Sequence, residues 1–181
     1  MTEDQKLLTH KMERILVLGC SGAGKSTLTK VLSKELGIEA LHTDTCYWSP
    51  GWVKVPMEQF KKAHNEFIKK DKWIVDGNNR ATMPDRLELA DTIIYLDFST
   101  VFCLWSVIKR RFQYWGKTRP DVAEGCPEQF DWEFFKYIWS FNTKVAPPLK
   151  EMLSQQKDKK IIILKGRKEV NNFIENLKKD V

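Results

Sequence analysis

Residues 14–27 read Arg14-Ile15-Leu16-Val17-Leu18-Gly19-Cys20-Ser21-Gly22-Ala23-Gly24-Lys25-Ser26-Thr27, and the fold turns on how they are read. Residues 14–18 are a β-branched and leucine-rich run that meets glycine at Gly19, the pattern of a buried parallel strand. Beyond the glycines, Leu28, Val31, Leu32 and Leu36 recur at three- and four-residue spacing up to Gly37, a residue that commonly stops a helix. The eight residues from Gly19 to Ser26 satisfy G-x-x-x-x-G-K-[ST], and they do so between a strand and a helix, as that motif requires. Glycines let backbone N–H groups converge on phosphate oxygens, and the helix that follows turns its positive end to the same anion. The segment therefore predicts ATP and Mg2+ binding through Gly19, Ser21, Gly22, Ala23, Gly24, Lys25, Ser26 and Thr27. Lys25 would reach the β- and γ-phosphates and Ser26 would hold the magnesium.

Outward from this segment, strands and helices alternate. Short apolar runs at 39–42, 73–75, 92–96 and 161–164 read as further strands, and helical spacing is predicted over 58–70, 84–89, 101–114, 132–153 and 169–178. The helix at 132–153 carries Pro147 and Pro148, which mark a place for it to break. Residues 43–56, rich in aromatics with Pro50 and Gly51, read as a loop. Alternation of this kind implies a parallel sheet with helices on both faces and a ligand site beyond the carboxyl ends of the strands. The 181 residues suit one domain spanning 1–181. Its one long stretch without periodicity, 116–131, belongs to a mobile lid insertion at about 112–131.

Composition narrows the function. Hydrophobic residues make up 42% and charged residues 30%, a globular rather than a disordered balance. The polar first thirteen residues and the lack of any apolar run near twenty residues argue against export and membrane insertion. Cys20, Cys46, Cys103 and Cys126 show no C-x-x-C pair, which fits a reducing cytoplasm. His10, His42 and His64 lack metal-ligand spacing and read as ordinary surface or core histidines. A net charge of +6 favours an anionic partner, although much of the excess sits in solvated stretches such as 157–160 and 178–179. A guanine-reading N-K-x-D sequence does not occur, which argues against a switch GTPase. Larger motor ATPases need more chain.

The remaining candidates follow from their positions. Asp76 ends a buried strand in Trp73-Ile74-Val75-Asp76-Gly77-Asn78, where a carboxylate would support magnesium, with Asn78 and Arg80 placed to contact an acceptor. Asp44 follows the second strand and would take a proton from a substrate hydroxyl, or else cap a turn. Tyr47, Trp48 and Trp52 surround the Pro50-Gly51 turn, where they would either stack on a planar or sugar-like acceptor or fill the core. Asp97, at the end of the fourth strand, reads as a structural or outer-shell metal residue. Lys109, Arg110, Arg111, Lys117 and Arg119 gather at the start of the lid, and Arg111 and Arg119 are the expected arginines on the transferring phosphoryl group. Arg167, in Lys165-Gly166-Arg167 after the last strand, would border the adenine ring.

Together these motifs resemble the P-loop kinase group that includes adenylate, shikimate and gluconate kinases. A closer resemblance is to the bacterial DNA topology modulation proteins of the FlaR type. It rests on the glycine loop, His42-x-Asp44, Trp48 to Trp52, Trp73 to Asn78, Arg86-Leu87 with Ala90-Asp91, and Arg119-Pro120-Asp121 with Gly125-Cys126-Pro127-Glu128. The resemblance implies a three-layer α/β/α fold with a five-stranded parallel sheet of order 2-3-1-4-5, ATP as donor, and a lid after the fourth strand. Asn79 and Thr43 stand where tyrosine and leucine are common in relatives, so acceptor recognition is left open. The family's name adds a second function class, an ATP-controlled, DNA-associated regulator with slow hydrolysis. No helix-turn-helix, zinc or RNA-recognition signature occurs in the sequence to support DNA contact. The reading is an ATP- and Mg2+-dependent phosphotransferase acting on an unidentified hydroxyl or phosphate acceptor, a small molecule or a nucleoside or nucleotide.

Overall fold

The computed structural model describes residues 12–129 and 131–180; His10 lies outside them. A central sheet is built from β1 (Arg14–Gly19), β2 (Ala40–His42), β5 (Trp73–Asp76), β6 (Thr92–Leu96) and β7 (Lys160–Leu164), with a separate hairpin of β3 (Trp48–Ser49) and β4 (Val53–Lys54). The sheet order is β2-β5-β1-β6-β7 and every pairing in it is parallel. Chain numbering thus differs from the expected 2-3-1-4-5 because the hairpin intervenes; counted among the sheet's own strands, the order is 2-3-1-4-5.

Alternation along the strands explains the two helical layers. On β1, Ile15 and Val17 join Ile74, Ile94 and Leu96 on one face, while Leu16 and Leu18 join Trp73, Val75, Ile93 and Tyr95 on the other. Successive side chains of a strand point to opposite faces, so a strand apolar at every position needs cover on both. The first face is covered by Leu28 and Leu32 of α1 (Lys25–Leu36), Cys103 and Val107 of α5 (Thr100–Gln113), Ile138 of α6 (Trp132–Ser140), and Val170 and Leu177 of α8 (Arg167–Asp180). The second is covered by Ile68 of α3 (Met57–Ile68), Leu87 of α4 (Met83–Leu89), and Leu149 and Leu153 of α7 (Ala146–Ser154). Among the described residues no helix is long and apolar enough to cross a membrane.

Two segments depart from the sequence reading. Residues 43–56, expected as a loop, contain α2 (Thr43–Tyr47) and the β3–β4 hairpin. The helix expected over 132–153 is interrupted by a π-helical turn, Phe141–Val145, immediately before α7. Pro147 and Pro148 lie in the first turn of α7, where a missing N–H costs nothing, and the widened turn precedes them.

Arg86 of α4 holds the exit of β5 in place. It is fully buried and donates to the carbonyl oxygens of Gly77 (2.9 Å), Asn79 (2.8 Å) and Thr82 (3.3 Å). Burial lowers its guanidinium to about 10, with nearby Asp76 opposing, so it remains charged at neutral pH. Replacing it with Arg86→Met keeps much of the volume but orphans the Gly77 and Asn79 carbonyls, each worth about 1–3 kcal/mol when buried, while the Thr82 carbonyl still accepts from the backbone N–H of residue 86. Urea denaturation should show a loss of roughly 3 kcal/mol or more.

Candidate active site

The carboxyl ends of β1, β2 and β5 open into one cavity of about 1000 Å³, covered by the loop between α5 and α6. Lys25, Ser26, Asp44, Asp76, Arg119 and Arg167 all line it. Its floor is the glycine loop. Gly22 has φ +88°, and a Cβ there would lie 2.4 Å from the Cys103 carbonyl oxygen, so α5 packs directly on the loop's backbone. Lys25 Nζ donates to the Cys20 carbonyl at 3.1 Å, which folds the ammonium over the loop. Ser21, Gly24 and Thr27 also line the cavity, whereas Gly19 and Ala23 do not.

Gly19 has a different task. Its N–H donates to the Asn78 side-chain oxygen (3.2 Å), and its carbonyl accepts from the Asn78 amide (2.7 Å). Asn78, expected as an acceptor contact, lines the cavity and uses its carboxamide to tie the start of the glycine loop to the exit of β5. Arg80 is exposed and does not line the cavity.

Asp76 is 4% exposed, and its carboxylate lies 2.6 Å from His42 Nδ1. Burial alone would lower the imidazole's pKa, but the hydrogen bond to Asp76 and its charge outweigh that, and the net shift is upward. His42 is thus a partner of the strand-end carboxylate rather than an ordinary surface or core histidine. Parallel pairing explains the meeting, since His42 and Asp76 are register partners at the ends of β2 and β5. In the first turn of α2, Asp44 is open to the cleft yet ringed by protein atoms. That crowding raises its pKa, with Lys25 lowering it and Asp76 raising it further.

Two arginines face the cavity at the lid, Arg119 of the lid and Arg110 of α5, and they are not the expected pair. Arg119 (9% exposed) ion-pairs with Asp121 at 2.7 Å and with Glu128, while Arg110 Nε lies 2.9 Å from the same Glu128 carboxylate. Arg111 instead lies with its guanidinium 4.7 Å from the Trp115 ring centre and does not line the cavity. Arg110 takes the cavity wall because it shares a side of α5 with Phe102, Ser106, Lys109 and Gln113, which line the cavity too. Asp121, given no role from sequence, receives a hydrogen bond from the Ser26 hydroxyl. Burial raises its carboxyl, but Arg119, Ser26 and Lys30 together hold it below the ordinary value. Asp97 lies outside the cavity and pairs with Lys150 at 2.7 Å, in keeping with a structural role.

The lid is buttressed by the hairpin. Gly51 N–H donates to the Gly125 carbonyl (2.8 Å), Trp52 Nε1 donates to the Pro127 carbonyl (2.9 Å), and the Cys126 thiol donates to the Ser49 carbonyl (3.2 Å). Gly125 is required here, since its φ is +75° and a Cβ would meet Pro50 Cβ at 2.8 Å. On the opposite wall, Arg167 sits 5.4 Å from the Phe102 ring centre and next to Gly24.

Among the described residues no group of three His, Cys, Asp or Glu side chains is placed to hold a metal alone. The Ser26 hydroxyl beside Asp121, with Asp76 in the same cavity, offers oxygen donors of the kind magnesium uses when phosphates and waters complete its shell.

His42 gains its charge partner on folding, so its folded pKa lies above the unfolded one. Its contribution to stability is complete below about 6.5 and is lost as pH rises through the folded value. The stability difference between the native chain and His42→Gln should therefore be larger at pH 6 than at pH 9. Denaturant titration at the two pH values checks this.

No family model matches the chain. Residue similarity links it to the uncharacterized protein YqaC of Bacillus subtilis (strain 168), with 31% identity over 107 residues, 58% of this chain and 60% of that protein. The chain therefore matches less than two thirds of that relative's length. Among solved structures it is similar to a shikimate kinase from Acinetobacter baumannii (TM-score 0.58, 14% identity, 94% of this chain and 93% of that one). It is also similar to one from Bacteroides thetaiotaomicron (TM-score 0.54, 16% identity, 93% and 98%). At these identities the likeness is one of fold: a P-loop kinase fold with a five-stranded parallel sheet.

Proposed function

We propose that the chain is an ATP- and Mg2+-dependent phosphotransferase that moves the γ-phosphoryl group to a hydroxyl of a small acceptor. The observation that carries this reading is the placement of Lys25 and Ser26 of the glycine loop, Asp44, and Arg119 of the lid around one cavity. Phosphoryl transfer asks the protein chiefly for positioning and charge stabilisation. The glycine-loop N–H groups and Lys25 bind the phosphates, and Arg119 stabilises charge on the transferring group. Asp44 accepts the acceptor's proton, and the buttressed lid excludes water that would otherwise be phosphorylated. Magnesium, when bound, would be held by Ser26 with Asp76 through its water shell, neutralising charge on the β- and γ-phosphates. Phe102 and Arg167 border the nucleotide's base.

The ordered motifs that resemble the FlaR-type topology modulation proteins support that finer grouping, so the assay includes duplex DNA. ADP release is measured with magnesium across hydroxylated metabolites, nucleosides and nucleotides. Acceptor-dependent release supports the proposal; hydrolysis that only DNA accelerates points to a nucleotide-gated DNA-associated protein.

Lys25→Ala should abolish turnover with the fold intact by circular dichroism. Turnover retained with normal ATP affinity would sink the assignment of the glycine loop. Asp44→Asn should lower kcat by about 10²–10⁴-fold. Because its pKa lies above 3.8 and the base acts deprotonated, kcat should rise with pH through an acid limb above that value in the native enzyme, and Asp44→Asn should lack the limb. Arg119→Ala should lower kcat more than ATP affinity.

A further inference from the structure

The acceptor side of the cavity carries a specific chemistry. Tyr47, Trp48 and Trp52 all line it, with the Tyr47 and Trp48 rings 4.9 Å apart at 79° and the Trp48 and Trp52 rings 5.6 Å apart at 75°. Near-perpendicular rings bring π faces and edges to one point from two directions, an arrangement that suits a cation better than a stacked planar ring. Trp52 is held there at φ +61°, a left-handed conformation costly for a bulky residue, by its indole hydrogen bond to the Pro127 carbonyl of the lid.

The arginines that would greet an anionic acceptor are already engaged. Arg86 is spent on three carbonyls behind the wall, Arg110 pairs with Glu128, and Arg119 pairs with Glu128 and Asp121. Asp44 and Glu128 meanwhile line the cavity beside the aromatic corner. Lys30 of α1 and Lys109 of α5 line the same cavity, but at the aromatic corner itself an anionic acceptor would meet the carboxylates of Asp44 and Glu128, whereas a cationic acceptor pairs with them.

We propose that the acceptor is an amino alcohol, its ammonium group seated in the corner of Tyr47, Trp48 and Trp52 and its hydroxyl directed to Asp44. The inference rests on the phosphotransferase reading and names its substrate class. The hydroxyl oxygen forms the new P–O bond, the bond from the γ-phosphorus to the bridging oxygen breaks, ADP leaves with that electron pair, and the hydroxyl proton passes to Asp44. No oxidant or reductant is needed. Shikimate, a carboxylate, should be a poor acceptor despite the fold it shares with its kinases.

The test uses matched pairs that differ in charge. Choline and 3,3-dimethylbutan-1-ol share shape and hydroxyl; glucosamine, glucose and gluconate form a second set. ADP release is followed with magnesium and ATP, and binding is followed by calorimetry with a non-hydrolysable ATP analogue present. The charged amine should be preferred by roughly tenfold in kcat/KM or Kd. That preference should fall to within about twofold in Trp48→Leu and persist in Trp48→Phe, with ATP-analogue affinity unchanged in both. Equal or better use of the neutral or anionic members overturns the acceptor class and leaves the phosphotransferase standing. Preferential binding of the cations without ADP release from any acceptor overturns the phosphotransferase and leaves the cation site. Absence of any binding preference for the cations overturns the inference itself.

Discussion

Burial of β1 on both faces and along both edges is the constraint on which the rest of the molecule depends. Ile15, Leu16, Val17 and Leu18 are all fully buried, and β5 and β6 flank the strand in parallel register. A strand enclosed in this way can release the chain only at its carboxyl end, and there α5 lies so close that Gly22 admits no side chain. The backbone, having no side chains to offer, presents its N–H groups instead. The proposed phosphate site is thus a consequence of how the sheet is closed. The reciprocal pair of hydrogen bonds between Gly19 and Asn78 transmits the same constraint to β5, and the His42–Asp76 pair carries it on to β2. Three strand ends are thereby fixed relative to one another before any ligand arrives, which is the preorganisation that charge stabilisation of a transition state requires.

What was legible in the sequence was local. The glycine loop declared itself because its chemistry, its strand and its helix lie within two dozen consecutive residues. The sheet strands declared themselves because parallel strands covered on both faces are apolar throughout. What was hidden depends on contacts between distant residues. Asp121 meets Ser26 only because the lid folds back over the loop, and Trp52 takes its orientation from Pro127, seventy-five positions away. Residues 43–56 looked like a loop because their aromatic, Pro and Gly content carries no period, yet lid contacts brace the hairpin and the Thr43 bond to the Asp76 carbonyl ties the start of α2 to β5.

The exchange of Arg110 for Arg111 shows where a finer reading was possible. Adjacent residues on a helix point about 100° apart, and the buried positions Cys103 and Val107 mark the inward side of α5. Residues 110 and 111, three and four positions beyond Val107, both fall near that side; residue 110 alone also joins Phe102, Ser106, Lys109 and Gln113 on the stripe that lines the cavity. The arginine choice was therefore a matter of phase relative to the cavity, not to the buried positions. His42 was different in kind. Its role follows from standing opposite Asp76 across a parallel pair, and register between strands separated by more than thirty residues is not written in either strand alone.

The lid's charges explain how buried arginines persist before substrate arrives. An unpaired guanidinium at the exposure of Arg119 would cost several kcal/mol in desolvation. Glu128 and Asp121 offset that cost, and Glu128 serves Arg110 as well. On the proposed phosphotransferase reading, an entering phosphoryl group competes with carboxylates, not with bulk water, for the same donors. Charge that accumulates on the transferring oxygens shifts that competition in their favour. Such an arrangement would withhold the arginine's contribution from ATP binding and release it during transfer, which is the difference that accelerates a reaction.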